Sequence, residues 1–323
     1  MDFSPANPYR YDVRETVIGY YETWLSEAEG CSKADLAYVP TGSVSHINAA
    51  FGYIDPETFD VVPMPGTDIA IYRNVAALKA HNPNLKVWLS LGGWDFSNND
   101  TATQPVFGNI SSSAANRAKF IAALIKFMKE WGFDGVDLDW EYPAAPDRRG
   151  DAADSRNYLF LVQDLRTQFD AQNRGWGVSF TAPASYWYMR WFNIESMAKS
   201  VDWINLMSYD LHGSWDADGN WIGPHVYAHT NMTEIKDALQ LLWRNNVPAE
   251  KVNLGLAFYG RSYTLVDPSC NTPGCEFKDP RRPFSCGVSV FPVRNRIRLR
   301  FDEVTNMKYE TARPKEAIYH TKT

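Results

Sequence analysis

Short apolar runs with strand character alternate along this chain with longer segments of helical period. The runs occupy residues 16–21, 45–53, 86–94, 133–141, 177–182, 201–209 and 252–259. Between them, residues 114–131 set Phe120, Leu124, Phe127 and Met128 on one helical stripe, and residues 157–169 and 234–243 repeat that pattern. Strands alternating with helices predict βα units and a parallel sheet. Seven such strands point to an α/β protein, a (β/α)8 barrel of the TIM type, in which functional residues gather at the carboxyl ends of the strands.

The fourth run departs from the others. Its apolar pattern is interrupted by Asp137, Asp139 and Glu141, spaced two apart. In an extended strand those three share one face, and Val136, Leu138 and Trp140 share the other. Carboxyl groups this close are costly to ionise together, so at least one pKa should rise. A raised carboxyl suits a general acid at moderate pH. A calcium-binding or merely solvated acidic strand is the competing reading, and the apolar opposite face argues against solvation.

The segment Asp134-Gly-Val-Asp137-Leu-Asp139-Trp-Glu141, followed by Tyr142-Pro143, resembles the Asp-x-x-Asp-x-Asp-x-Glu signature of glycoside hydrolase family 18, the chitinase family. Every defining position is present, including the final glutamate. Ser90-Leu-Gly-Gly-Trp94 is similar to the family's Ser-x-Gly-Gly at the end of strand three, where glycines permit close backbone approach to the acidic strand. Met207-Ser-Tyr209-Asp210 resembles the strand-six motif, and 255–261, with Tyr259 and Arg261, the strand-seven segment. The resemblance extends from about Val17 to Cys286 and includes fungal chitinases similar to killer-toxin α subunits.

The resemblance implies roles. Glu141, Asp139, Asp137 and Tyr209 would be catalytic, and Tyr20, Phe51, Trp94, Tyr142, Met207, Asp210, Tyr259 and Arg261 would bind substrate. The substrate would be chitin or a chito-oligosaccharide, cleaved with retention by a substrate-assisted mechanism that needs no cofactor and no metal. A chitin-binding lectin on the same barrel and an endo-β-N-acetylglucosaminidase are the alternatives. Tyr186 and Trp187, following the fifth run, are weaker candidates that read equally as surface aromatics.

After residue 259 the rhythm breaks. Residues 267–275 form a turn-rich, cysteine-containing loop, residues 293–301 alternate arginine with apolar side chains, and no eighth strand is recognisable. The barrel is therefore expected to be incomplete, with an abbreviated insertion or an aberrant gene end. The expected division is an N-terminal extension over 1–14, a catalytic barrel over 15–266 and a truncated C-terminal region over 267–323.

Composition narrows the partners. A net charge of -6 argues against a nucleic-acid surface, and no run of about twenty apolar residues supports a membrane span. The 14% aromatic content suits a cleft that stacks sugar rings. Cys270, Cys275 and Cys286 lie close together and, with Cys31, read as disulfide partners in any of three pairings. Sequons at Asn99, Asn109 and Asn231 lean the same way, toward an extracellular protein, although the N-terminus lacks a signal-peptide pattern; a monomer is expected. His225 and His229 have i, i+4 spacing, but Gly223-Pro224 before them and the missing glutamate of H-E-x-x-H favour surface or loop histidines over a metal pair. His212 is expected to shape the turn or the cleft wall after strand six.

Overall fold

A computed structural model describes residues 16–28, 33–218, 221–270, 272–279, 308–311 and 317–320. All seven predicted strands are present: β1 (Ile18–Glu22), β2 (His46–Ile54), β4 (Lys86–Gly92), β5 (Gly135–Asp139), β6 (Gly177–Pro183), β7 (Trp203–Met207) and β8 (Val252–Leu254). They form a parallel sheet in the order β1-β2-β4-β5-β6-β7-β8. A short strand, β3 (Val61–Pro63), pairs antiparallel with β2. Sequential parallel order with intervening helices is the expected barrel architecture. Among the described residues no eighth parallel strand joins β8 to β1.

The predicted helices are found as α3 (Ala114–Trp131), α4 (Asp154–Ala171) and α7 (Met232–Arg244). α3 shows why the sequence stops and starts where it does. Ser113 caps the first turn by accepting the Asn116 amide at 3.1 Å, and Gly132 ends the helix with a left-handed φ of 80°. Its stripe of Phe120, Ile121, Leu124, Phe127 and Met128 is buried. Four shorter helices, α1 (Ala70–Ala77), α2 (Val106–Ser111), α5 (Tyr186–Met189) and α6 (Ile194–Ala198), gave too little periodicity to be read from sequence.

The chain divides into two compact units. One takes the chain as far as Leu206 together with Leu241–Asn253, and the other takes Met207–Gln240 and the chain from Leu254 on. In the first unit the sheet is curved enough for side chains of β1 and β7 to meet: Asn205 Nδ2 donates to the Tyr20 hydroxyl at 3.1 Å. The floor of that unit is aromatic. Trp88 and Trp203 stack at 4.3 Å with His46 edge-on to both, and burial holds His46 neutral with a pKa lowered to about 4.

The seventh strand is shorter than the apolar run predicted, leaving extended pairing at Leu254. Leu256, Phe258 and Tyr259 are exposed by 49%, 91% and 46%, so burial does not hold this segment in the sheet. In the second unit β9 (Thr264–Leu265) and β10 (Phe277–Asp279) pair antiparallel. Val226, Tyr263, Leu265, Cys275 and Phe277 form a small core there, joined by the Cys270–Cys275 disulfide. Burial pushes the Tyr263 phenol up to about 12. Of the expected pairings this one is present; Cys31 and Cys286 lie outside the described residues. So does the arginine-alternating segment 293–301. Further along the C-terminal region, β11 (Lys308–Thr311) and β12 (Ala317–His320) form an antiparallel pair.

Candidate active site

β5 carries the acidic row into the first unit's interior. Asp137, Asp139 and Glu141 are all buried, and Glu141 lies two positions past the end of the strand. Sheet register decides what surrounds them. Ser90 of β4 and Ser179 of β6 stand directly beside Asp137. Ser90 Oγ donates to Asp137 Oδ2 at 2.8 Å and Ser179 Oγ to Oδ1 at 2.6 Å. Tyr20 from β1 donates its hydroxyl to Oδ2 at 2.9 Å, and Asn205 Nδ2 from β7 donates to Oδ1 at 3.0 Å. Four donors fill the acceptor capacity of one carboxylate. Burial nevertheless raises the Asp137 pKa, and those hydrogen bonds oppose the rise.

Asp139 accepts a short hydrogen bond from Thr181 Oγ1. Its pKa stands well above the usual carboxylate range, first through burial and then through the charges of Glu141 and Asp137. The sequence expectation of at least one raised carboxyl is met twice. Close approach by β4 depends on glycine: Gly92 faces Asp139 with φ of 111°, and a Cβ there would lie 2.1 Å from the Asp139 carbonyl oxygen. The Gly93 amide then donates to that same oxygen at 2.9 Å.

Around the row, Phe51 stacks on Trp24 with ring centres 6.1 Å apart. Trp94 is half exposed, and the Arg148 guanidinium lies 3.8 Å from its ring centre. Tyr142 is buried and stacks on Tyr188 at 4.1 Å; burial, then the charges of Glu141 and Asp139, raise its pKa well above 10. Tyr20 contributes its hydroxyl to the acid cluster, and the residue is 41% exposed.

Sequence reasoning quoted Ser90 within the strand-three motif without a role at the site, and it missed Ser179, Thr181, Asn205 and Arg148. A signal existed for Ser179, Thr181 and Asn205, since each is a polar residue inside an otherwise apolar strand run. Arg148 left none, because its role depends on where a loop folds back. Asp134, the first acid of the motif, is structural: it pairs with Lys79 at 3.0 Å and accepts the Val87 amide at 2.9 Å.

The second unit holds the remaining expected residues. Met207 ends β7, and the Tyr209 and Tyr259 rings meet at 6.1 Å. Arg261 donates from Nε and Nη2 to Asp210 Oδ1 at 2.9 and 2.5 Å. His229 is not a surface histidine. It is buried, accepts the Asp210 amide at Nδ1 (3.1 Å) and lies with Nε2 3.2 Å from the Tyr259 carbonyl. The aromatic packing of this loop against Tyr259 removes it from solvent. His225 turns away to the Ile222 carbonyl at 3.0 Å. His212 is buried between Asp216 (3.1 Å) and Glu234 (3.0 Å), and Asp216 also accepts the Gly213 amide, so the histidine does shape the turn.

A parallel β/α sheet with adjacent buried carboxyl groups at the end of one central strand defines a protein of the β/α-barrel class with its site at the strand ends. The chain belongs to glycosyl hydrolases family 18, whose profile matches residues 16–318. It is 36% identical over 278 residues to the secreted chitinase LysM12 of Penicillium expansum, covering 82% of this chain and 18% of that protein. It is 34% identical over 271 residues to the killer toxin subunits alpha/beta of Kluyveromyces lactis, covering 83% of this chain and 22% of that protein. The chain thus spans about a fifth of the length of these two relatives. Among solved structures, a mutant of the Ostrinia furnacalis Group II chitinase catalytic domain 2, in complex with penta-N-acetylchitooctaose, superposes with a TM-score of 0.71 at 28% identity, covering 82% of this chain and 70% of that one.

Proposed function

We propose that this chain is a chitinase that hydrolyses β-1,4-linked N-acetylglucosamine polymers by a retaining, substrate-assisted mechanism. The observation that carries the reading is Asp139, buried between two other carboxyl groups with its pKa well raised. In substrate-assisted hydrolysis the nucleophile is the substrate's own 2-acetamido carbonyl oxygen, so the protein needs no second carboxylate to attack.

Glu141 protonates the leaving glycosidic oxygen as the acetamido oxygen closes on the anomeric carbon. Asp139 hydrogen-bonds the acetamido N–H and stabilises the positive oxazolinium that results. Glu141 then takes a proton from water as that water opens the ring, restoring the acid and the original anomeric configuration. Asp137, held by its four donors, shares the charge of the row with Asp139 so that the acids titrate as a set. By family resemblance Tyr209 donates to the acetamido oxygen, Asp210 and Arg261 hold neighbouring sugar groups, and Tyr20, Phe51, Trp94, Tyr142, Met207 and Tyr259 line the bound chain.

The reacting sugar must then carry an N-acetyl group, and cellulose is not cut. The protein acts as a monomer outside the cell, on a polysaccharide and not on nucleic acid or membrane. Among the described residues no helix is long and apolar enough to cross a membrane.

The test is hydrolysis of a fluorogenic N,N′-diacetylchitobioside by the purified chain and by Glu141→Gln. The variant should lose at least ~100-fold in turnover, the lower end of general-acid contributions. Equal cleavage by both, or no cleavage by a soluble folded parent, overturns the assignment.

A further inference from the structure

Two half-exposed tryptophans in the first unit are built alike. Trp94 is 49% exposed with Arg148 3.8 Å from its ring centre, and Trp187 is 47% exposed with Arg190 at 4.0 Å. Both are tied to one short 3-10 turn, Pro146–Arg148. Arg148 donates to the Trp94 carbonyl at 2.7 Å, and Asp147 Oδ1 accepts from Trp187 Nε1 at 3.3 Å. The main chain of Trp187 is fixed as well, its amide donating to Ser185 Oγ at 3.1 Å. The second oxygen of Asp147 accepts the Tyr188 hydroxyl at 2.6 Å, and Tyr188 stacks on Tyr142, which follows Glu141.

A surface tryptophan without a ligand has no need of this restraint. Its rotamer freedom is removed by a hydrogen bond, a capped backbone and a cation–π contact before anything binds, which lowers the entropy cost of binding. A guanidinium lies over each indole, and about half of each residue stays exposed. An indole ring matches the C–H face of a pyranose ring. Two separate ring faces suit successive sugars of a chain, whereas a docked protein needs one contiguous apolar patch.

We infer that Trp187 is a second stacking platform for the polymer, taking a sugar further along the chain than the one on Trp94. The inference rests on the chitinase reading. It makes the Pro146–Arg148 turn the shared support of both platforms, with Asp147 holding the outer one and Arg148 the inner.

The experiment titrates chito-oligosaccharides of two to six sugars into the full chain carrying Glu141→Gln, which stops turnover, with and without Trp187→Ala. Calorimetry reads the dissociation constants. The affinity loss should grow with chain length, reaching about 2- to 10-fold for the hexamer, the range expected for one aromatic contact. Trp187→Phe, which keeps a ring but lacks Nε1, should show a smaller loss, and it decides the question on its own if the alanine variant fails to fold. Equal losses at every length, or none for the hexamer, overturn the inference and leave the chitinase reading standing. Failure of the Glu141→Gln chain to bind any oligomer overturns both.

Discussion

Arg148 donates from Nε to the main-chain carbonyl of Glu141 at 2.9 Å, so a buried guanidinium fixes the backbone of the proposed acid. The same group reaches the Asn98 side chain at 2.9 Å and the Trp94 carbonyl at 2.7 Å. Arginine's planar fork suits three acceptors set around it; a lysine presents a single point charge. Arg148→Met leaves those acceptors without their donor and should cost about 2–4 kcal/mol, lowering Tm by roughly 5–10 °C. Arg148→Lys should recover only part of the loss. Thermal unfolding of the three proteins checks this, and an unchanged Tm in the methionine variant would contradict it.

Stability should respond to pH through Asp139. Burial, then the charges of Glu141 and Asp137, raise its pKa above the ordinary 3.8. A carboxyl whose pKa is higher in the fold binds its proton more tightly there. Its favourable contribution is full below about pH 3.8 and is lost as pH rises through the folded pKa. Asp139→Asn never ionises and still offers an oxygen to Thr181. It should therefore be the more heat-stable protein at pH 7, by about 2 °C or more, with the two converging at low pH. Melting curves from pH 3 to 8 measure the gap; a variant less stable at pH 7 would refute the assignment.

His212 should behave in a similar sense. Burial disfavours its charged ring, but the hydrogen bond and charge of Glu234, then those of Asp216, outweigh it and raise the pKa above 6.5. The Tyr227 ring, 5.1 Å away, adds no charge. A histidine with a raised pKa stabilises the fold fully below 6.5, and that contribution disappears as pH climbs through the folded value. Glu234→Gln removes the largest raising cause, so the ring's NMR titration should move down. A titration that stays in place would show that Asp216 alone controls the ring.

Much of the architecture was legible because its causes are local. The stripe of α3 and its end at Gly132 follow from the helical period and from one residue that tolerates positive φ. The short helices α5 and α6, of 4 and 5 residues, are too brief to display a period, and their existence depends on the loops that hold them. The apolar run at 252–259 misled in the opposite direction. Its composition permits a strand, but only three residues pair. His229 shows the same limit: spacing alone placed it in a loop, yet contacts with Asp210 and Tyr259 decide that it is buried.

The sequence by itself determined that Asp137, Asp139 and Glu141 share one face, because alternation along a strand is a property of the backbone. It also determined that glycine stands at residue 92, where only glycine fits. What the carboxyl groups meet was decided by tertiary structure alone. Asp137 takes its donors from β1, β4, β6 and β7, the farthest of them 117 residues away in sequence. Pairing register and sheet curvature set those neighbours, and both arise from many side chains packing at once. The chemistry of the row is therefore written in one short segment, while its pKa values belong to the whole unit.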